Sequence, residues 1–397
     1  MRISRLASQL RLSVTLALDA QAKALAAGGR DVVNMAVGEP DFPAPEVVRA
    51  AAVRKIESGD VRYTQAAGTL SLRAAVASHL SATRGVPYGP DEVTICHSAK
   101  HALSGAILAL IEPGDEVLIP LPAWVSYVEI VRIAGGVPVE VPPAPGCRPD
   151  IERLAEAVTP RTRAMLLNSP CNPSGYVQTP EEVAALAELA ERHDLAIVSD
   201  EIYRRLVFED PPWTSPVSLG DAVRARTVII DGASKCFAMT GYRIGFAAGP
   251  KELAAAIARL HSQMTGAPNT VSQSAFEAAL IEEPPEVAAM TAEFASRREL
   301  LLEGLGELGL ETPRPRGAFY AFPSVAPFLD ERGSAGLCAD LLEAQALALV
   351  PGSAFGVDDH VRLSYALSPD RITEALRRLG AFLGTRRSRS PDQRGPM

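Results

Sequence analysis

The 397-residue chain is 47% hydrophobic and 22% charged, with a formal net charge of −8. That composition suits a folded protein with a sizeable core, long enough for one large and one smaller domain, and its acidic balance argues against a nucleic-acid partner. Five cysteines at scattered spacings, with no CxxC, imply neither a disulfide framework nor a zinc site and fit a reducing cytoplasm. No run reaches the ~20 apolar residues of a membrane span, and residues 1–20 lack the apolar core of a secretory leader, so a cytoplasmic protein without a membrane partner is expected. Short apolar runs at 93–96, 116–119, 136–141, 163–168, 195–199, 227–231 and 243–248 read as strands. Helical patterns near 99–111, 124–134 and 180–193 fall between them. Near-continuous apolar strands alternating with helices predict an α/β fold: a large domain on a mostly parallel seven-stranded sheet sandwiched by helices. After residue 250 the pattern becomes helical, with two helices in 251–282 and others near 286–308, 335–346 and 370–384. Strand-like runs at 318–322 and 360–365 complete a smaller α+β unit. The polar stretch 386–397 has no periodicity and reads as a frayed tail.

Ligands of open α/β sheets bind beyond the carboxyl ends of the strands. Four groups stand at such ends. Ser98-Ala99-Lys100 follows the first strand and opens a helix, whose N-terminal N–H groups suit a phosphate; an ordinary cap by Ser98 is the plainer alternative. Asn172 follows the 163–168 strand. Asp200 ends the 195–199 strand, with Tyr203 a turn later. Lys235 follows the 227–231 strand, beside Ser234 and among small residues, with Arg243 eight positions on in Tyr-Arg-Ile-Gly. A pyridoxal-phosphate site needs such a set. A lysine amine forms a Schiff base with the aldehyde, an arginine grips the phosphate, and a carboxylate keeps the pyridine nitrogen protonated. Tyr203 and Asn172 are suited to hydrogen-bond the ring phenolate oxygen, which lowers the Schiff-base pKa.

On these residues the chain resembles the class I, fold type I pyridoxal-phosphate aminotransferases, and within them the bacterial aspartate aminotransferase subgroup. The likeness runs from about residue 5 to 384. Gly38-Glu-Pro-Asp-Phe42 resembles the segment that closes over substrate. Arg62-Tyr63 resembles the motif whose tyrosine reaches the partner subunit's cofactor phosphate. Pro122-Ala-Trp124 resembles the motif whose tryptophan stacks on the pyridine face. His360-Val-Arg362 resembles the motif whose arginine binds the substrate α-carboxylate. The resemblance implies cofactor contacts from Tyr63, Ser98, Ala99, Lys100, Trp124, Asn172, Asp200, Tyr203, Ser234, Lys235 and Arg243, with Lys235, Asp200 and Tyr203 in catalysis. It implies substrate contacts from Gly38, Lys100, Trp124, Asn172 and Arg362, Lys100 reading a distal carboxylate, and Ser and Thr of Leu12-Ser13-Val-Thr15 near the substrate. It further implies a homodimer and four segments: an arm at 1–15, a small domain at 16–47 with 291–385, a large domain at 48–290, and a tail at 386–397.

The expected activity is amino-group transfer between an L-amino acid, aspartate or glutamate favoured, and a 2-oxo acid, through the Lys235 Schiff base and a quinonoid. Two other readings keep the same residues. One is elimination, replacement or carbon–carbon bond formation on the same fold, for example on S-adenosylmethionine; the other is a non-catalytic binder. The chain departs from the subgroup at Ala123, where Tyr is common, and at Ser98-Ala99, Cys171 and Gly232; the small residue at 123 is expected to enlarge the wall of the site. The histidines form no ligand spacing, and His101 stands one residue past the phosphate turn.

Overall fold

The computed structural model describes residues 2–10, 13–209 and 213–387. Seven strands form one sheet: β1 Val93–Cys96, β2 Glu116–Pro120, β3 Val137–Val141, β4 Thr162–Asn168, β5 Ala196–Asp200, β6 Thr227–Gly232 and β7 Gly245–Ala248, in the order β1-β7-β6-β5-β4-β2-β3. Only β7 runs against its neighbours. β1, β6 and β7 are buried along their whole length and β4 and β5 along most of theirs, as expected for a sheet covered on both faces. β3, with Pro138, is an edge strand, where a residue lacking its N–H costs no ladder bond.

Register places the chemistry. Asn168 pairs with Asp200, Asp200 with Ile230, Gly232 with Gly245, and Gly245 with Cys96. The carboxyl ends of β4, β5, β6 and β1 therefore share one edge, and the reversed β7 begins there. The Ala99–Leu110 helix starts from this edge under a Ser98 cap. Pro180–Arg192 starts from a full capping box, Thr179 with Glu182, and a proline in its first turn.

A second, antiparallel sheet is ordered β9-β10-β8, from β8 Tyr320–Ala321, β9 Val350–Pro351 and β10 Val361–Ser364. The helices Glu286–Glu307, Gly333–Gln345 and Pro369–Arg387 accompany it, around Phe294, Phe319, Tyr320, Tyr365 and Leu379. Val33–Asn34 pairs in parallel with Leu347–Ala348, tying an early segment to this late one.

The expected strands and helices are present within a few residues, with three differences. The last strand of the central sheet begins at Gly245, because Arg243 is left-handed (φ 53°) and Thr240–Tyr242 forms a 3-10 turn. Helices form where none was expected, long ones at Val14–Ala27, Glu46–Glu57 and Leu70–Arg84 and short ones at Arg5–Gln9, Ile151–Glu156 and Asp221–Arg224. The last helix runs through Arg387 rather than fraying at 386, because Arg386 pairs with Asp340 and donates to the Phe328 carbonyl at 2.9 Å. Of the expected tail, 388–397 lies outside the described residues. Among the described residues, no helix is long and apolar enough to cross a membrane.

Candidate active site

A cleft of about 510 Å³ opens over the shared strand edge, between the two sheets. Gly38, Ser98, Ala99, Lys100, Trp124, Asn172, Asp200, Tyr203, Ser234, Lys235, Arg243 and Arg362 all line it. Tyr63 does not: its ring is fully exposed, away from the cleft of its own chain. Ser13 and Thr15 reach the cleft and share a 2.8 Å hydrogen bond; Leu12 lies outside the described residues.

The lysine sits on the turn after β6. Its Nζ donates to the Gly38 carbonyl at 2.5 Å. Removal from water pushes the Lys235 amine down to about 8; Arg243 and Arg362 act the same way, while Glu39 and Asp200 oppose them. A side chain at Gly38 would bring a Cβ to 2.7 Å from the Tyr320 hydroxyl, so glycine lets this carbonyl approach. The segment is fixed on both sides: Thr240 donates to Glu39 at 2.9 Å, and Arg297 donates to both Asp41 oxygens at 2.7 and 2.9 Å.

Asp200 closes β5 and is buried. Its Oδ2 accepts from the Tyr127 hydroxyl at 2.7 Å and its Oδ1 from the Ile202 N–H at 3.2 Å. Burial raises its pKa to about 6, with the two hydrogen bonds acting in opposition. The Tyr203 and Tyr320 hydroxyls share a 2.8 Å hydrogen bond, and burial drives the Tyr203 phenol well above its ordinary value.

At the turn that opens the Ala99–Leu110 helix, the Ser98 hydroxyl accepts from the His101 N–H at 3.3 Å. The first N–H groups of any helix lack intrahelical partners and attract anions. A Cβ at Gly245 would lie 2.5 Å from the Ala99 nitrogen and one at Gly232 2.7 Å from the Gly245 Cα. The two glycines let β6, β7 and this turn nest together. Arg243 stands beside it, its Nη1 donating to the Thr240 carbonyl at 2.7 Å.

Arg362 on β10 is buried. It donates to Asn172 Oδ1 at 3.0 Å and to the Ala36 carbonyl at 2.6 Å, and its guanidinium lies 4.5 Å from the Tyr320 ring centre. Its Nε is buried without a partner, an orphan donor of the kind a carboxylate satisfies. Lys100 holds its ammonium 4.8 Å from the Trp124 ring centre; desolvation and Arg243 lower its pKa.

Four cations, Lys100, Lys235, Arg243 and Arg362, thus face two carboxylates, Glu39 and Asp200, in a chain of net charge −8. The cleft is built for an anion of more than one charge. Its donor set fits pyridoxal phosphate: a lysine whose amine gives up its proton more readily than usual, a carboxylate for the ring nitrogen, an aromatic face and a helix N-terminus flanked by arginine.

Sequence reasoning missed Glu39, Tyr127, Asn168, Thr240 and Tyr320. Tyr127, three residues past Trp124 at the start of a helix, had a readable spacing; Tyr320, which meets the distant Tyr203 and Arg362, had none. Ala123 lies beside a separate void of about 30 Å³, with Cys147, Cys171 and Tyr127. It is not among the residues that line the cleft, so the expected widening of the wall is a correction. His101 stacks on His261 with ring centres 3.9 Å apart, and His97 meets His101 edge-on, next to the turn that opens the Ala99–Leu110 helix.

A family model described as aminotransferase class I and II matches residues 30–379. The aspartate/prephenate aminotransferase of Thermus thermophilus is 43% identical over 387 residues, covering 96% of this chain and 99% of that protein. The aspartate aminotransferase of Geobacillus stearothermophilus is 40% identical over 392 residues, covering 97% and 100%. Among solved structures, aspartate aminotransferase from Thermus thermophilus with maleate superposes at a TM-score of 0.93, with 42% identity over 96% of this chain and all of that one.

Proposed function

The chain belongs to the class I and II aminotransferases, pyridoxal-phosphate-dependent transferases that pass an amino group between amino acids and 2-oxo acids, and from that membership we propose that its amino donors are the acidic ones, aspartate and glutamate. The observation that carries this reading is the pair of cations at separate points of one cleft. Arg362 suits the α-carboxylate and Lys100 a distal one. The named relatives and the maleate-bearing structure support a dicarboxylic substrate. Nothing observed favours elimination or carbon–carbon chemistry.

Bound pyridoxal phosphate supplies an aldehyde and a protonated ring that withdraws electrons from the substrate Cα. The residues of the chain do the rest. Ser98, Ala99, Ser234 and Arg243, with Tyr63 from the other subunit of a homodimer, hold the phosphate. Asp200, oriented by Tyr127, keeps the ring nitrogen charged, and Trp124 covers the ring face. Asn172 and Tyr203 donate to the ring oxygen. Arg362 and Asn172 orient the α-carboxylate. Lys235, with its amine near neutrality, takes the Cα proton and returns it one carbon away; a base with a pKa close to the working pH is best placed for such transfer. The functional division on this reading is 16–47 with 291–385 moving against 48–290, with the arm at 1–15. A cytoplasmic location completes it.

The test is single-turnover absorbance of the yellow holoenzyme. Aspartate and glutamate are expected to convert the cofactor to its amino form far faster than alanine, and a 2-oxo acid to reverse it. Equal rates with alanine would remove the acidic preference. For Tyr63, mixing inactive Lys235→Ala with Tyr63→Ala subunits is expected to recover activity, since each hybrid dimer holds one intact site; no recovery means Tyr63 does not act across the interface.

A further inference from the structure

Behind the strand edge, on the side away from the cleft, lies a buried cluster of charges that the chemistry above does not use. Arg84 ends the Leu70–Arg84 helix, and its Nη2 and Nε donate to Glu201 Oε2 at 2.5 and 3.1 Å. The same Nη2 lies 3.5 Å from Asp231 Oδ2. Arg204 Nε donates to Asp231 Oδ2 at 2.5 Å, and its Nη2 meets His79 Nε2 at 2.5 Å. Ser215 and Ser199 donate to Glu201 Oε1 at 2.5 and 3.1 Å. The ion-pair side chains are at most 7% exposed. Two arginines balance two carboxylates. His79 is held neutral, its pKa lowered to about 2 by burial and then by Arg204, Arg205 and Arg84.

Two members follow a residue of the cleft in sequence, and a third is tied to the lysine turn. Glu201 follows Asp200, and Arg204 follows Tyr203. Asp231 Oδ1 accepts from the Gly232 N–H at 2.7 Å, at the head of the turn that carries Lys235. We infer that Arg84, Glu201, Arg204 and Asp231 are positioning residues: their matched charges lock the ends of β5 and β6 together, and the two arginines, by cancelling the two carboxylates, keep Asp200 ionised against the cofactor ring. This rests on the assignment of Asp200 to the ring nitrogen.

The electrostatic direction follows from the geometry. Asp231 and Glu201 both act on Asp200 as like charges. The arginines cancel that repulsion, so removing one leaves a naked carboxylate near Asp200 in a medium of low dielectric. The other groups that face Asp200 are Tyr127 from the Ser126–Ile133 helix, Cys171 from the turn after β4, Tyr203 on its own segment, and Lys235. All stay in place in the variants below.

The test follows cofactor retention by the full-length holoenzyme on dialysis from about pH 5 to about pH 8, a range that brackets a displaced carboxyl titration. Arg204→Gln is expected to raise the midpoint for cofactor loss by about one pH unit, a tenfold change in the protonation balance of Asp200. The charge-neutral pair Arg204→Gln with Asp231→Asn is expected to return it to within about 0.3 unit of wild type, as charge cancellation requires. Arg204→Lys keeps the charge and is expected to keep the midpoint, even with a lower melting temperature. Should Arg204→Gln not fold, Arg84→Gln, which leaves Glu201 without its arginine, is expected to give the same rise of about one unit. If the arginine-to-glutamine variants that fold keep the wild-type midpoint while only melting temperatures change, the cluster is scaffold and the inference is wrong. Asp200→Asn separates the two levels: unaltered retention in that variant overturns the ring-nitrogen assignment, and the inference with it.

Discussion

The two sides of the strand edge handle charge in opposite ways. Behind it, Arg84, Arg204, Glu201 and Asp231 are buried and matched, two against two. In front, four cations face two carboxylates, and Arg362 keeps a buried Nε without a partner. A buried pair costs much of what it gains, and breaking it is far more harmful than having it. Matched charge therefore holds its surroundings steady and asks for no ligand, whereas an uncancelled excess persists only where a ligand is to complete it.

The sharpest way to break the front side is Lys235→Ala. Its loss is expected to lower kcat by roughly 10⁴-fold or more, the upper end for a positioned acid–base group, in stopped-flow assays with aspartate. Arg362→Lys comes next. It removes a planar two-pronged donor, and kcat/KM for aspartate should fall roughly 10–100-fold, as for one or two hydrogen bonds to a charged partner. Lys100→Gln should cost about tenfold with aspartate or glutamate and nothing with alanine, because a single charge-assisted contact to a distal carboxylate is removed; equal losses on all three would mean that Lys100 does not read the side chain. Acidity supplies a fourth check. The Lys235 amine is reactive only when neutral, so cofactor capture by the stripped enzyme should slow about tenfold per unit as pH falls below about 8. A flat rate down to neutrality would contradict the lowered pKa. The smallest effect is expected at Ala123→Val, at a position that lines the separate void and not the cleft: KM for aspartate should stay within about twofold, since no contact with substrate is altered.

Much of the front side was legible in the chain. Strand periodicity and the strand-end rule brought Ser98, Asn172, Asp200 and Lys235 to one edge, and register places them there. Arg362, Trp124 and Gly38 came only through resemblance to a family, since nothing in their local pattern points at residues far off in sequence. The back side was not legible. Arg84, Glu201, Arg204 and Asp231 read as ordinary helix-end and turn charges, and only the folded chain joins positions up to 147 residues apart, as between Arg84 and Asp231. The three long early helices were missed for a related reason: two of them carry only a weak apolar stripe, as in Val14–Ala27 and Glu46–Glu57. Ala123 erred in the other direction, because a sequence says which side chain is small but not which way it faces.

The glycines at 232 and 245 bear on how far this chain can be altered. Every other amino acid carries a Cβ, and at 245 that atom alone would sit 2.5 Å from the Ala99 nitrogen and 2.7 Å from the Ser98 carbonyl carbon. The obstacle is main chain, not a side chain able to swing aside. A library randomised at 245 thus offers no graded series from conservative to drastic: alanine is already as forbidden as tryptophan. Attempts to retune the anion pocket have their freedom at 98, 100 and 243, around a contact whose alphabet holds one letter.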